Sequence, residues 1–173
     1  MKKLLILSII LFISCEAPKA GVSEVDSNTF EQNVQTIKDT WIKGFEEENF
    51  DKAISFMADS IQWTGPNGST VGIESIKQSI QYWMDTFDEM AYSEGEGLPG
   101  TNVGFWGGNT YPVSEAMSSP NNIRMYGTWS MKNSQTGKTA KTKHYVVLTF
   151  NEDGKVHTAT EYAYFGEVNA SFE

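Results

Sequence analysis

The segment FEEENFDKAISFMADSIQWTGPNGSTVG, residues 45–72, decides the fold of this chain. Its pattern predicts the end of one helix, a short second helix capped by Asn49, a strand, and a tight turn into a third helix. Ile61 and Trp63 fall on one face of the strand predicted over 60–64, because side chains alternate along a strand. The Gly-Pro-Asn-Gly sequence that follows is a strong turn signal.

Two longer helices flank this segment. Asn28, with Glu31 three residues later, forms a capping-box pattern that predicts the start of the first helix. Gly72 marks the predicted start of the third helix. Apolar residues recur at helical spacing in both helices. The two stripes are Phe30, Val34, Ile37, Trp41 and Phe45 in the first helix, and Ile73, Ile76, Ile80, Trp83 and Phe87 in the third.

The second half of the chain is predicted to form mostly sheet. Residues 91–122 are rich in Gly, Ser, Pro and Asn, which predicts a long irregular connection with one strand near 101–106. Three strands with clear alternation follow, over 123–131, 142–150 and 156–165. A four-residue hairpin turn, 151–154, joins the last two of these strands. Helices followed by an antiparallel sheet indicate an α+β fold.

The composition limits the classes of molecule that this chain is expected to bind. The chain has 173 residues, with 13 Lys and Arg against 22 Asp and Glu, and a net charge of −9. Without a basic patch to neutralise phosphates, nucleic acid is not expected as a partner. The single cysteine excludes an intramolecular disulfide. No motif indicates a cofactor, so we expect none.

Residues 1–14 resemble a bacterial lipoprotein signal peptide. Lys2 and Lys3 precede an apolar run over 4–13, which is shorter than the roughly 20 residues that a transmembrane helix needs. The run ends at a small residue followed by Cys15, the residue that a lipoprotein would carry as its lipidated N-terminus. We therefore expect an exported protein of the cell envelope that contacts the membrane only through this anchor. An ordinary signal peptide with an incidental cysteine is the alternative.

Residues 15–27 then form a predicted polar tether, and residues 28–173 a single domain. In this domain several short sequences occur in a characteristic order. They are Phe50-Asp51, Phe56-Met57-Ala58-Asp59, the Gly-Pro-Asn-Gly turn, Gly72-Ile73, the hairpin sequence over 150–156, and Tyr164-Phe165. This order resembles the nuclear transport factor 2-like superfamily, which includes SnoaL-like and ketosteroid-isomerase-like proteins. The resemblance implies a cone: a strongly bent antiparallel sheet packed around three N-terminal helices, with a pocket between them.

The same resemblance allows a test for one mechanism. Ketosteroid isomerases use a carboxylate base, a tyrosine and a protonated acid. The matching positions in this sequence are Gly65, Trp41 and Val146 respectively. None of these side chains supplies the required group, so we do not expect that mechanism. The superfamily also hosts binding modules and protein-interaction domains, so its fold does not decide the function.

His144 and Glu161 are the candidate catalytic residues. With a four-residue hairpin loop, His144 would pair with Glu161 across the last two strands, and Leu148 would pair with His157. A histidine held by a carboxylate is a plausible general base. The alternative is a cross-strand ion pair with a structural role only. The spacing of His144, His157 and Glu161 matches no metal-ligand pattern, so no metal is expected.

Aromatic residues on the predicted inner faces suggest a mostly apolar pocket with a few polar groups. The predicted lining residues are Trp41, Trp63, Tyr82, Trp83, Trp129, Val146 and His157. Our first hypothesis is therefore a domain that binds a small, partly apolar molecule. The second is a hydrolase, lyase or isomerase that uses His144 with Glu161. The third is a non-catalytic module that forms a homodimer or binds a partner protein.

Overall fold

The protein is described by a computed structural model over residues 22–95, 104–110 and 117–173. The α-helices are α1 Glu24–Ile37, α2 Lys43–Glu46, α3 Phe50–Ile54, α4 Ile73–Thr86 and α5 Gly166–Ala170, with a π-helical turn at Lys38–Ile42. The strands are β1 Met57–Thr64, β2 Thr70–Val71, β3 Phe87–Glu94, β4 Phe105–Thr110, β5 Met117–Asn133, β6 Thr139–Phe150 and β7 Val156–Ala163. This architecture confirms the predicted α+β fold. The predicted signal peptide and Cys15 lie outside the described residues.

Helix α1 begins earlier than predicted. Ser23 is its N-cap, with an extended backbone and a side-chain oxygen that accepts a hydrogen bond from the Asp26 backbone N–H at 3.1 Å. The acidic side chains of Glu24 and Asp26 also favour this first turn, because the N-terminus of a helix carries a partial positive charge. Asn28 therefore lies inside the helix rather than at its cap. Residues 24–27, predicted as the end of the tether, form the first turn of α1.

The segment that connects the first helices to the sheet has the predicted order of elements, but β1 begins at Met57 and not at residue 60. Asn49 caps α3 by accepting a hydrogen bond from the Lys52 backbone N–H at 3.0 Å. Gly44 in α2 lies directly against Ala53 in α3. A Cβ atom at position 44 would come within 2.5 Å of the backbone nitrogen of Ala53, so only glycine permits this approach. Gly68, with φ +80°, completes the turn between β1 and β2.

The sheet is large, curved and unclosed, with strand order β2-β1-β7-β6-β5-β3. Strand β4 also pairs with β5, along residues 117–125, while β3 pairs with residues 127–133 of β5. One pair departs from the predicted antiparallel sheet. Strands β1 and β7 run parallel, with Trp63 opposite Ala159. The pairing places the first and last strands of the chain side by side.

The predicted register of β6 and β7 is wrong by two residues. The loop between them contains five residues, 151–155, and is closed by a hydrogen bond from the Asn151 N–H to the Lys155 carbonyl at 2.8 Å. A register shift follows between Thr149 and Phe150, where His157 is the extra residue of β7. His144 therefore lies opposite Ala163, and Glu161 lies opposite Val146. A shift of two residues keeps His144 and Glu161 on the same face.

Three further elements differ from the sequence predictions. Phe87 begins β3 instead of extending the third helix. The region predicted as irregular contains the end of β3, all of β4 and the start of β5. Part of the strand predicted near 101–106 lies outside the described residues, and the rest belongs to β4. The last strand ends at Ala163, and the short helix α5 follows it.

The hydrophobic core lies between the helices and the inner face of the sheet. Along β6 every second residue from Ala140 to Phe150 is buried, which identifies the inner face. Ile37, Phe56, Ile61 and Leu148 are among its most buried side chains, each no more than 1% exposed. Within the described ranges, no helix is both long enough and apolar enough to cross a membrane.

Candidate functional site

A cavity of about 300 Å³ opens between the helices and the inner face of the sheet. Most of its wall is apolar. The aromatic and sulfur-containing lining residues are Trp41, Phe45, Trp63, Trp83, Trp129, Phe165, Met57, Met90 and Met131. The polar lining side chains are Asn67, Ser69, Ser79, Thr142, His144 and Glu161. An apolar wall with a few polar groups that can orient a ligand is typical of sites for small organic molecules.

Glu161 is the acidic residue of this wall, and two donors hold it. The indole N–H of Trp63 donates to Glu161 Oε2 at 3.0 Å. Nε2 of His144 lies 3.0 Å from Oε1. Strand β7 runs between β1 and β6, so the two donors reach the carboxylate from opposite sides. The Glu161 side chain is 20% exposed, whereas that of His144 is only 4% exposed.

The carboxylate of Glu161 is ionised in this setting. Burial raises its pKa, because a charged group loses hydration in the wall of the cavity. The hydrogen bond from His144, the charge of His144 when protonated, and the hydrogen bond from Trp63 act in the opposite direction and outweigh burial. The net effect lowers the pKa of Glu161 below its ordinary value.

The hydrogen bond to Glu161 also determines which ring nitrogen of His144 carries a hydrogen. An ionised carboxylate can only accept, so Nε2 of His144 carries the hydrogen. Its other ring nitrogen, Nδ1, is buried and has no hydrogen-bond partner among residues that the structure describes. A second hydrogen on Nδ1 would be a buried donor without an acceptor, which is costly. The contacts therefore place a ring hydrogen of His144 on Nε2 and leave Nδ1 as a buried nitrogen without a partner among the described residues.

Trp41 packs over this pair from the helical layer. Its ring meets Trp63 edge-to-face at 5.3 Å and 90°, and it meets His144 at 5.6 Å and 78°. Trp41 belongs to the π-helical turn Lys38–Ile42, a local widening that is common at functional sites. The aromatic cover shields the hydrogen bonds from water and leaves the carboxylate open toward the cavity.

Four of the predicted pocket residues line the cavity: Trp41, Trp63, Trp83 and Trp129. Three do not. Tyr82 is 56% exposed on the outer side of α4, and Val146 is completely buried in the core. His157 sits at the register shift of β7 and is not part of the lining.

Sequence reasoning missed several lining residues. Met90 belongs to β3, a strand that was not predicted. Thr142 shares the inner face of β6 with His144, and this alternation was a usable signal. Gly65 lines the cavity but supplies no side chain at the position where ketosteroid isomerases carry their base. The carboxylate of this cavity comes instead from Glu161 on the last strand.

The remaining chemistry of the described residues is limited. Across residues 22–95, 104–110 and 117–173, no group of three or more His, Cys, Asp or Glu is arranged to hold a metal ion. The residues that can act on a ligand are therefore the carboxylate of Glu161, its two donors, and the hydroxyl and amide groups at the rim.

Comparison with known proteins relates the fold to solved structures. No protein-family model matches the chain, and no curated protein matches it. The pinacolase BvnE from Penicillium brevicompactum superposes with a TM-score of 0.60 at 13% identity, covering 87% of this chain and 93% of that one. A proposed SnoaL-like polyketide cyclase from Shewanella denitrificans gives 0.55 at 13% identity, with 81% and 96% covered.

A third structure is a hypothetical protein from Catenulispora acidiphila with a ketosteroid isomerase-like fold, in complex with trimethylamine. It gives a TM-score of 0.55 at 9% identity, covering 79% of this chain and 91% of that one. At such low identity the likeness concerns the fold. The chain has a cone-shaped α+β fold like that of the ketosteroid isomerase-like and SnoaL-like structures.

Proposed function

We propose that this domain binds a small, partly apolar molecule in the cavity that Glu161 faces. The observation that carries the proposal is the cavity itself: about 300 Å³, walled mainly by aromatic and methionine side chains, with one carboxylate fixed by two hydrogen bonds. Cavities of about this size and composition are typical small-molecule sites. The apolar wall would supply binding energy, and Glu161 would orient the ligand.

Proteins of the same fold support a small-molecule role. One is a pinacolase, and another was solved with trimethylamine bound. The fold therefore accommodates small organic molecules in proteins that share little sequence with this one. The side chains that line this cavity, and not those of the similar structures, determine which ligand the chain binds.

The binding proposal can be tested by filling the mouth of the cavity. Ser79 and Ser75 are both exposed on α4, one turn apart, but only Ser79 lines the cavity. N-phenyl-1-naphthylamine, a neutral apolar fluorophore, serves as the probe, with energy transfer from tryptophan as the readout. The Ser79→Phe variant should bind it at least about ten-fold more weakly, because the ring occupies ligand space.

Ser75→Phe is the matched control, since it adds the same ring on the same helix. It should bind the probe as the wild-type domain does. Saturable 1:1 binding with this difference between the variants supports the proposal. Absence of saturable binding to the wild-type domain, or equal affinity of the two variants, would refute it.

An acid–base enzyme is the second candidate. The favouring observation is that the Glu161 carboxylate is fixed by two donors and still partly open to the cavity. In such an isomerase or lyase, Glu161 would exchange the proton, and His144 would be a positioning residue because its Nε2 is already engaged. The lowered pKa makes Glu161 a weak base, which places this candidate second. Turnover lost in Glu161→Gln, with ligand binding retained, would favour it.

We also propose that the mature protein is lipid-anchored at Cys15 in the bacterial cell envelope. Support comes from the sequence alone: two lysines, an apolar run over 4–13, and a small residue before the cysteine. A homodimer through the outer face of the sheet stays a prediction. Tyr162 and Tyr164 are exposed on β7 and just beyond it, at 57% and 74%.

A further inference from the structure

We propose that the ligand of this cavity is a small organic ammonium ion, with its positive centre beside the Glu161 carboxylate and its alkyl groups against the tryptophan rings. This inference rests on the proposed binding function and adds the chemical class of the ligand. It is carried by three features of the site: the charges in the wall, the hydrogen at His144, and the aromatic surface.

The charges in the wall have one sign. Glu161 is the only carboxylate among the described lining residues, and no lysine or arginine is among them. An anionic ligand would therefore meet a fixed negative charge with no cation to offset it. A cation would gain Coulomb energy, because a charge in an apolar wall is screened less than one in water.

The two donors that hold Glu161 carry no permanent positive charge. Nε2–H of His144 donates to Oε1, and the neutral indole of Trp63 donates to Oε2, each at 3.0 Å. Nδ1 of His144 is buried without an acceptor within the described part of the chain, so a second hydrogen on it would be costly. The carboxylate is therefore held in place without a lysine or arginine beside it, and its negative charge is available to a cationic ligand.

The aromatic wall suits the rest of such a ligand. Four tryptophans line the cavity: Trp41, Trp63, Trp83 and Trp129. The face of an indole ring carries partial negative charge, and tryptophan is the best side chain for cation–π contacts. The wall also excludes water, so alkyl groups bound to the nitrogen bury apolar surface. A metal cation would gain little here, because the apolar wall offers few oxygen ligands.

The experiment compares choline with 3,3-dimethylbutan-1-ol, its neutral isostere in which carbon replaces nitrogen. Binding is measured by calorimetry at fixed ionic strength. The wild-type domain should bind choline at least about ten-fold more tightly than the isostere. In Glu161→Gln this preference should fall to about one-fold, because the amide keeps the shape of the carboxylate but not its charge. The single amide oxygen accepts a hydrogen bond from only one of the two donors.

Glu152→Gln is the charge-matched control, since Glu152 is exposed in the hairpin turn between β6 and β7 and does not line the cavity. The protein carries a net charge of −9, which attracts cations in general. Glu152→Gln removes the same charge and should keep the preference for choline. Loss of the preference in this variant would mean that the attraction is non-specific, and the proposal would be overturned.

Equal or weaker binding of choline by the wild-type domain, including no detectable binding, would also overturn the inference. That comparison needs no variant, so it does not depend on the folding of Glu161→Gln. Binding of the apolar fluorophore distinguishes a wrong ligand class from a wrong binding function. If it still binds and Ser79→Phe still weakens it, the binding function stands and only the ligand class is wrong.

Discussion

Glu161 owes its environment to the place of its strand in the sheet. Its neighbours in sequence, Thr160 and Tyr162, contribute neither of its two donors. Trp63 comes from β1 on one side and His144 from β6 on the other. Strand β7 is the position in this sheet from which an inward side chain can reach both. A carboxylate with two neutral donors and an open side can orient a ligand or accept a proton.

The state of Glu161 predicts how stability depends on pH. The pKa of this carboxyl is lower in the folded protein than its ordinary value of 4.5, so ionised Glu161 stabilises the fold above that value. The contribution is lost as the pH falls through 4.5 and on through the lower folded pKa. Glu161→Gln lacks this titration. The difference in free energy of unfolding between wild type and variant should therefore shrink between about pH 5 and pH 3.

Urea denaturation at a series of pH values measures this difference directly. A difference that stays constant over the whole range would contradict the assignment of a lowered pKa to Glu161. A difference that grows in acid would mean that the carboxyl is destabilising when ionised, with burial outweighing its hydrogen bonds.

At the residue scale, the sequence predicted part of the site. Alternation along the last two strands placed His144 and Glu161 on one face, and their hydrogen bond agrees with that placement. The contact of Trp63 with Glu161 was not predicted, because 98 residues separate the two and no local pattern indicates a parallel pair of strands. Alternation along a strand predicts which face of the sheet a side chain occupies, but it does not predict which strand lies beside it.

The crossing of α2 and α3 gives a prediction at the scale of elements. A methyl group at position 44 would overlap the backbone of Ala53 at 2.5 Å, and backbone atoms cannot rotate away. Gly44→Ala should therefore lower the free energy of unfolding by about 1–3 kcal/mol, as overpacking does. Chemical denaturation of the purified domain is the measurement.

Gly65→Ala is the matched control for that substitution. A Cβ atom at position 65 would lie 3.6 Å from the nearest atom, the side-chain oxygen of Asn67, which is an ordinary contact. This variant should change stability by no more than about 0.5 kcal/mol. Equal effects at positions 44 and 65 would show that the loss comes from replacing glycine in general and not from the helix crossing.

Among the elements, periodicity predicted that α3, β1 and α4 exist, but it missed the first three residues of β1 and failed where a local irregularity intervenes. Phe87 continues the apolar spacing of α4, so the change to β3 is invisible in the pattern. The extra residue at His157 shifts the register of β7, and the π-helical turn widens the helix around Trp41. Each irregularity adds or removes one residue from a repeat. Such a change depends on tertiary packing more than on local sequence.

At the scale of the whole molecule, the family resemblance predicted the bent sheet and the helices that precede it. The order of short motifs carried this prediction, since composition alone indicates only a compact acidic domain. The parallel contact of β1 with β7 and the helix α5 were not predicted. The signals for both are weak: β1 has an ordinary strand pattern, and α5 has only five residues.

The proposed lipid anchor predicts that processing of the whole molecule depends on Cys15. Without a thiol at position 15 there is no acceptor for the lipid, so Cys15→Ser should accumulate as an unlipidated precursor in a bacterial host. Metabolic labelling with a palmitate analogue and the electrophoretic size of the product measure the outcome. Normal processing of Cys15→Ser, or an unlabelled wild-type protein, would refute the lipoprotein prediction.

The pairing of β1 with β7 has a consequence for how the domain is made. During synthesis Trp63 leaves the ribosome 98 residues before Glu161. Among the described strands, β1 is joined to the remainder of the sheet through β7, and its other neighbour, β2, has two residues. The hydrogen bond between Trp63 and Glu161 therefore forms only after β7 has been synthesised, and contacts of such long sequence separation form slowly. The binding site is therefore complete only in a chain that has been translated through β7, because a shorter nascent chain lacks Glu161.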